Sequence, residues 1–241
     1  MKNKILLLLR YINRFGIKGL YIYFSRTYLG SIRLNNQEIK LRKNTSDAYT
    51  FDQVFIEQNY KLQINHPKLI IDAGANVGIS AFYFKTLFPN AAIICIEPEE
   101  DNFILLKENL KNYSNIKFLQ AALWGHDQGI FLHKGLRHDS HFVSESGSDN
   151  SYFVHTITLQ QLLSNDHSYI DILKIDIEGG EKFIFQKDFE SWLLKVKVLM
   201  IEMHDRMIEG CSKSVFNALS KYNFSVSFQG EIMVCINMDI S

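Results

Sequence analysis

The sequence has only three cysteines and no CxxC pair, so it indicates neither a disulfide framework nor a cysteine-ligated zinc site. Cys95 and Cys235 lie in apolar segments, which is typical of buried free thiols in a reducing compartment, and we therefore expect a cytoplasmic protein. A basic excess is also absent, because 26 lysines and arginines match 26 aspartates and glutamates. Nucleic-acid binders usually carry such an excess, so we expect no nucleic-acid partner.

A membrane-spanning run is missing from the N-terminal segment. Ile5–Leu9 is followed directly by Arg10, whereas a spanning helix needs about 20 apolar residues. Apolar residues at helical spacing around this run predict an amphipathic helix. We expect the helix to pack on the main domain or to hold a partner, such as a second copy in a homodimer. Peripheral contact with a membrane surface is the alternative.

The chain divides into two predicted parts. Residues 1–60 are predicted to form an extension that contains a helix, a hairpin around Asn35 and Asn36, and a second helix capped by Ser46 or Asp47. Residues 61–241 are predicted to form the main domain. An insertion at about 124–156, rich in Gly, Ser, His and Asp, interrupts it with short β-like pieces.

Apolar strands alternate with amphipathic helices in the main domain. The strands are KLIIDAG, AAIICIEP, IKFLQAAL, DILKIDI and VKVLMIE, and one helix is predicted for EKFIFQKDFESWLL. Such nearly continuous apolar strands are typical of a parallel sheet that helices cover on both faces. The last two strands flank Gln229 and Gly230. We therefore predict an α/β, Rossmann-like fold with a mostly parallel seven-stranded sheet and a C-terminal antiparallel hairpin.

A dinucleotide-binding GxGxxG loop is absent, and DAGANVG occupies the corresponding place after the first of these strands. The second glycine of GxGxxG lets the backbone approach a pyrophosphate, but here that position is Asn76. S-adenosylmethionine has no phosphate and tolerates a side chain there. Gly74 would let the backbone pass its methionine portion, and Asp72 would meet its ammonium, directly or through water. Gly78 would allow close packing of helix and strand. A generic strand-to-helix turn is the alternative.

Three residues at later strand ends extend this predicted cofactor site. Glu97 ends the second strand, 25 residues after Asp72, so its carboxylate is expected beside the ribose of the cofactor and able to accept two hydroxyl hydrogen bonds. Pro98 fixes the chain as it leaves the strand. Ala121, at the end of the third strand, is small enough to leave room for the adenine.

A second motif, KIDIEGGE, brings three acids to a carboxyl end of the sheet. Strand alternation predicts that Asp176 and Glu178 point to the same side. Glu181 is expected in the first turn of the next helix, where it also favours the helix dipole. Asp176 is hard to explain as structure alone, because an acid that ends an apolar strand is costly unless it is paired or solvated.

The motifs IIDAGANVGIS, CIEPEEDNFILLKENL, LQAAL, ILKIDIEGGE and VLMIEMH together resemble the FkbM-type methyltransferases over about residues 45–205. The resemblance implies the class I methyltransferase fold, S-adenosyl-L-methionine as cofactor, and O-methylation of a hydroxyl on a sugar, a glycan or a related small molecule. The resemblance and the features of the loop and strand ends together predict the following cofactor contacts: Asp72, Gly74, Ala75, Asn76, Gly78, Glu97, Pro98, Ala121 and Asp176. Asp176 is the acid at the boundary between cofactor and substrate.

A hydroxyl acceptor must lose its proton as the new bond forms. The candidate bases are Asp176 and His204, since histidine has a suitable ordinary pKa. Glu178 and Glu181 are predicted to contact the acceptor. A divalent metal held by Asp176, Glu178, Glu202 and His204 is a less favoured alternative.

Two other functions remain open for the same fold. One is a catalytically silent module that binds cofactor or partners, against which the intact acidic motif argues. The other is an NAD-dependent oxidoreductase, which Asn76 disfavours.

Overall fold

The structure, a computed structural model, describes residues 2–34, 36–134, 141–144, 147, 151–164 and 169–240. Asn35 of the predicted hairpin turn and parts of the predicted insertion lie outside these residues.

The described chain contains both helices and strands. The helices are α1 (Lys2–Phe15), α2 (Lys18–Phe24), α3 (Asp47–Phe51), α4 (Ile79–Leu87), α5 (Glu100–Leu110), α6 (Leu159–Ser164), α7 (Glu181–Ile184), α8 (Glu190–Leu193) and α9 (Cys211–Leu219). The strands are β1 (Ser31–Leu34), β2 (Gln37–Lys40), β3 (Leu69–Ala73), β4 (Ala92–Ile96), β5 (Ile116–Leu119), β6 (Ala122–Leu123), β7 (Ile130–Lys134), β8 (His141–Ser144), β9 (Ser151–Val154), β10 (Thr156–Ile157), β11 (Ile170–Ile175), β12 (Val196–Glu202), β13 (Phe224–Gln229) and β14 (Ile232–Asn237). Two π-helical segments, Ser25–Leu29 and Asp52–Ile56, extend α2 and α3.

The seven-stranded sheet is confirmed, with the strand order β13-β14-β12-β11-β3-β4-β5. In this sheet only β14 runs in the direction opposite to the other six strands. From β3 the chain proceeds outward to β4 and β5 and then returns to place β11 on the other side of β3. The strand order thus reverses between β3 and β11, and α/β folds bind their ligands at such a point, outside the carboxyl ends of the strands.

Both faces of the sheet are covered, as the apolar strands predict. Side chains alternate along a strand, so Ile70 and Ile172 face one hydrophobic cluster while Ile71 and Leu173 face another. The first cluster includes residues of α4, α5 and the N-terminal extension. The second includes residues of α6, α7, α8 and α9.

The N-terminal extension packs directly against the main domain. Tyr11 is fully buried, and its hydroxyl donates a 2.5 Å hydrogen bond to Asp52. The predicted helix ends at Phe15, because Gly16 adopts a left-handed backbone conformation (φ +64°), and α2 follows. The hairpin of β1 and β2 forms as predicted. The boundary near residue 60 stays a prediction. No helix in the described ranges is both long and apolar enough to cross a membrane.

Three local predictions are wrong. Ser46 lies at the predicted N-cap position of α3, but the capping itself is absent: its backbone is helical, its side chain makes no capping hydrogen bond, and the Asp47 carboxylate pairs with Arg42. The third strand of the main domain ends at Leu119, since the chain turns there to pair β6 with β10. The helix predicted after Glu181 is two short helices, interrupted where Asp188 takes φ +57°.

The β-like pieces of the insertion form their own small sheet. Strand β7 pairs antiparallel with β8 on one side and β9 on the other. This sheet lies between the third and fourth strands of the main domain in the sequence, and Leu132 of β7 reaches the cavity described below.

Candidate active site

A cavity of about 240 Å³ opens at the carboxyl ends of β3, β4, β11 and β12. It lies at the point where the strand order reverses, as the fold predicts. One end is bordered by the DAGANVG loop and Glu97, and the other by Asp176, Glu178, Glu202 and His204. Both predicted motifs therefore border the same cavity.

Gly74, which directly follows β3, packs tightly against Asp176, which directly follows β11. Its φ is +74°, and a Cβ atom added there would lie 1.7 Å from the carbonyl oxygen of Asp176. Only glycine fits this position, because any side chain would collide with backbone. The amide groups of Gly74 and Ala75 both donate to the Ile96 carbonyl at 3.0 Å, which ties the loop to β4.

Asn76 and Gly78 complete the loop in left-handed conformations, with φ +48° and +90°. Asparagine tolerates this region better than most residues, and its side chain borders the cavity as predicted. Gly78 does not border it. A Cβ there would lie 2.9 Å from a methyl group of Leu106, so Gly78 permits close packing of the loop on α5 rather than on a strand.

Glu97 is buried at the cavity wall, and three N–H groups hold its carboxylate. Oε2 accepts from the Asn76 amide at 2.9 Å, while Oε1 accepts from the Glu99 amide at 3.0 Å and the Asn102 side chain at 3.1 Å. Burial nevertheless raises the pKa of Glu97 to about 7. Glu99 also borders the cavity and caps α5 by accepting from the Asn102 amide.

A buried lysine lies between the two motifs. Lys174 Nζ is 3.2 Å from Asp72 and 3.6 Å from Asp176, and it donates to the Gly74 carbonyl at 2.7 Å. Burial alone would lower the pKa of Lys174, but the charges of Asp72 and Asp176 raise it above its ordinary value. Asp72 also accepts from Ser80 and does not border the cavity, because Lys174 and Ser80 occupy its carboxylate.

Three carboxylates surround one ring nitrogen of His204. Its Nε2 lies 3.6 Å from Glu202, 3.8 Å from Asp176 and 3.8 Å from Glu178. Strand β11 ends at Ile175, so loop geometry rather than strand alternation turns Asp176 and Glu178 to this point; Glu178 has φ +56°. The result is a compact acidic group at one end of the cavity.

Glu181 binds the other ring nitrogen of His204, Nδ1. It is fully buried, does not border the cavity, and accepts from the Ile177 amide at 3.1 Å and from His204 Nδ1 at 2.9 Å. Burial disfavours the charged imidazolium, but the hydrogen bond and charge of Glu181, with Asp176 and Glu178, raise the pKa of His204 to about 9. His204 therefore carries a proton at neutral pH.

Two of these carboxylates, Glu202 and Glu178, have raised pKa values. Burial and the neighbouring charge of Asp176 raise the pKa of Glu202 to about 7, and the same two causes raise that of Glu178. Oxygen and nitrogen atoms of Asp176, Glu202 and His204 lie within 4.8 Å of one another, so they could hold a divalent cation. Two carboxylates and one imidazole would suit magnesium or manganese.

Comparison with known proteins identifies the family. The family profile described as the methyltransferase FkbM domain matches residues 72–226, which include both motifs of the cavity. The chain belongs to the FkbM methyltransferase family. "Methyltransferase 1" of Beauveria bassiana (strain ARSEF 2860) is 22% identical over 179 residues, which cover 64% of this chain and 72% of that protein. "Methyltransferase sdnD" of Sordaria araneosa is 32% identical over 80 residues, covering 31% of this chain and 30% of that protein.

A solved structure shares the fold of this chain. The crystal structure of Methyltransferase FkbM from Methylobacillus flagellatus KT has a TM-score of 0.53 at 12% identity, over 97% of this chain and 59% of that chain. The predicted class I methyltransferase fold is confirmed. The chain thus spans less than two thirds of the length of the solved protein.

The cavity collects most of the predicted site residues. Those that border it are Gly74, Ala75, Asn76, Glu97, Pro98, Asp176, Glu178 and His204. Those that do not are Asp72, Gly78, Ala121 and Glu181. Ala121 packs in the second hydrophobic cluster, because the chain has already left β5 there; Ala122, Leu123 and Trp124 border the cavity instead. Contacts of these residues with a cofactor stay predictions.

Sequence reasoning missed several cavity residues. Tyr49 and Gln53, from α3 and its π-helical extension, form part of one wall. Their spacing of four residues on one predicted helix is a signal that could have found them. Glu99 follows Glu97 by two positions and could have been found too. Glu231, in the turn between β13 and β14, gave no local signal.

Proposed function

We propose that this methyltransferase transfers the methyl group of S-adenosylmethionine to a hydroxyl oxygen of a sugar, a glycan or a related small molecule. One observation carries the proposal: a single cavity joins the glycine-dependent loop and Glu97 to the group of Asp176, Glu202 and His204. A methyl donor and a proton acceptor must lie in one space for such a transfer.

The loop end of the cavity suits the cofactor. There is no room for a side chain at Gly74, and the glycine itself borders the cavity, so a ligand could approach its backbone. The Gly74, Ala75 and Asn76 amides are already engaged within the protein, so the loop contributes shape rather than free donors. Ala122, Leu123 and Trp124 provide an apolar wall that would accept an adenine ring.

Two carboxylates could bind the ribose. A carboxylate has about four acceptor sites, and N–H groups occupy three of those on Glu97. Glu97 therefore retains about one site, fewer than the two expected from the sequence. Glu99 borders the same part of the cavity, so we assign the second ribose hydroxyl to it.

The other end could accept the proton of the acceptor. When bound, S-adenosylmethionine would supply a methyl carbon activated by its sulfonium, with a neutral thioether as the leaving group. The hydroxyl proton then needs a base. Because His204 is already protonated at neutral pH, Asp176 and Glu202 are better suited, and the raised pKa of Glu202, about 7, lies near the working pH. His204 would hold both carboxylates in place.

Binding of the cofactor is the first test. Calorimetry on the full chain should detect S-adenosylmethionine and not NAD. Glu97→Ala should weaken the binding at least tenfold, whereas Glu100→Ala, an exposed acid three residues further on, should leave it unchanged. Tight NAD binding, or no binding of S-adenosylmethionine, would overturn the proposal.

Turnover is the second test. Formation of S-adenosylhomocysteine is measured with a panel of free sugars, nucleotide sugars and glycans, and product mass and alkaline stability identify an O-methyl group. Glu202→Gln and Asp176→Asn should retain cofactor binding and lose most turnover. Cofactor binding without turnover on any hydroxyl acceptor would favour the catalytically silent module.

A further inference from the structure

Exposed apolar side chains are concentrated in the N-terminal extension. Of the 20 large apolar residues that are exposed in the described parts of the chain, nine lie between residues 5 and 29. Ile17, Tyr28 and Leu29 are exposed by 83, 62 and 64%. A soluble surface seldom leaves so many large apolar groups together unless they meet a partner or a membrane.

The opposite face of the same helices is already packed. Leu7, Leu8 and Phe15 of α1 contact the first hydrophobic cluster beside buried Tyr11. Arg14 Nε donates to the Phe55 carbonyl at 3.0 Å, which fixes α1 on the π-helical segment after α3. Residues 5, 6 and 9 lie on the other side of the helix, so this exposed face does not pack against the hydrophobic core.

The same segment has a pronounced charge. Residues 1–29 contain six lysines and arginines and no acid, although the whole chain is neutral. Arg10 and Arg26 pair with Glu57 and Asp52. Lys4 and Lys18 are exposed beside the apolar residues. An interfacial helix combines these features: a large apolar face, aromatic residues such as Tyr21, Phe24 and Tyr28, and flanking cations.

We propose that the outer face of residues 5–29 binds the surface of an anionic lipid bilayer. The apolar side chains would enter the boundary between headgroups and acyl chains, and the lysines would contact the acidic headgroups. A second copy of the chain is the less suitable occupant. A two-fold symmetric contact would place the same patch on both subunits and bring two acid-free, basic segments together.

Vesicle flotation with the full chain tests the proposal. Vesicles of phosphatidylcholine with 30% phosphatidylglycerol should carry the protein, and vesicles of phosphatidylcholine alone should carry at least tenfold less. Raising the salt to 0.5 M should weaken binding, since screening shortens the reach of the lysines. Equal recovery on both vesicle types, or none on either, would overturn the proposal.

Two pairs of variants separate the surface from the fold. Lys4→Glu with Lys18→Glu should lower the partition coefficient by at least about 25-fold, because each cation near an anionic surface contributes about fivefold. Ile17→Ser with Leu29→Ser should lower it by at least about tenfold. The matched control is Ile104→Ser with Phe228→Ser, which removes similarly exposed side chains elsewhere and should change nothing.

Light scattering distinguishes the competing occupant. The free protein should be a monomer at concentrations where vesicles bind it. A dimer that Ile17→Ser with Leu29→Ser dissociates, together with absent vesicle binding, would assign the face to a second copy instead. Vesicle binding equally weakened by the control pair would also refute the assignment.

Discussion

Replacing Gly74 with alanine would test whether the close contact between β3 and β11 shapes the cofactor end of the cavity. The left-handed backbone at φ +74° costs about 1 to 2 kcal/mol for a residue with a Cβ. The new Cβ would also lie 1.7 Å from the Asp176 carbonyl oxygen, where real contacts exceed 3.0 Å, so the two chain segments must separate by more than 1 Å.

Separation of the two segments adds strain to that backbone cost. Holding the loop and the Asp176 peptide in displaced conformations costs about 1 to 3 kcal/mol. We therefore expect Gly74→Ala to lower the free energy of unfolding by about 2 to 5 kcal/mol. Because Asp176 moves with its carbonyl, affinity for S-adenosylmethionine should fall at least tenfold in calorimetry on protein that remains folded.

Gly16 offers a matched control. Its φ is +64°, and an added Cβ would meet no atom within 4 Å. Gly16→Ala should therefore cost only the backbone part, about 1 to 2 kcal/mol, and leave cofactor affinity unchanged. Urea unfolding of both variants isolates the collision as the difference between them. Equal losses of stability in the two variants, with cofactor affinity retained in Gly74→Ala, would refute the reasoning.

Three further predictions concern charge. Glu181→Gln should lower the pKa of His204 from about 9 towards its ordinary value, measured by NMR titration of the imidazole; an unchanged pKa would show that Glu181 does not hold the proton. Glu97 has a folded pKa of about 7 against an ordinary 4.5, so its contribution to stability is present below pH 4.5 and lost as the pH rises through 7, about 3 kcal/mol in all. Urea unfolding from pH 4.5 to 8 should therefore show a smaller decrease in Glu97→Gln than in the wild type, and parallel curves would contradict this. Excess chelator should leave turnover unchanged, since Lys174 and protonated His204 already compensate the acids; a loss that Mg²⁺ or Mn²⁺ restores would instead establish a metal centre at Glu202.

The sheet could be predicted because its signal is local. Strands such as KLIIDAG are apolar throughout, and alternating helices leave few topologies for such strands. The breaks could not be predicted in the same way. Whether the third strand continues past Leu119 depends on β10, which lies more than 30 residues further along the chain. Asp188 divides the predicted helix through a left-handed conformation that aspartate permits but does not signal.

The residues of the candidate site likewise fall into those that local sequence predicts and those that depend on distant partners. Gly74, Glu97 and Asp176 follow strands directly, so strand ends predict that they approach one another. The roles of Asp72 and Glu181 depend on which residues pair between separate segments of the chain, and the motifs do not specify those pairings. Asp72 and Lys174 lie on adjacent strands and form an ion pair. Glu181 binds His204, which lies 23 residues further along the chain. Both acids stabilise the site from within the protein, because burial removes them from water and each pairs with one cation instead.

These two acids give the two ends of the cavity different electrostatic characters. Near the loop, Lys174 balances Asp72 and Asp176 and keeps a cation beside the Gly74 carbonyl. At the other end, Glu181 raises the pKa of His204, and His204 in turn lies beside Glu202 and Glu178, whose own pKa values burial has raised. A carboxyl group with a pKa of about 7 beside a protonated imidazole can take up and release a proton near neutral pH. For the proposed hydroxyl acceptor, Glu202 is therefore a better candidate base than His204, because its pKa of about 7 lies near neutral pH whereas His204 is already protonated there.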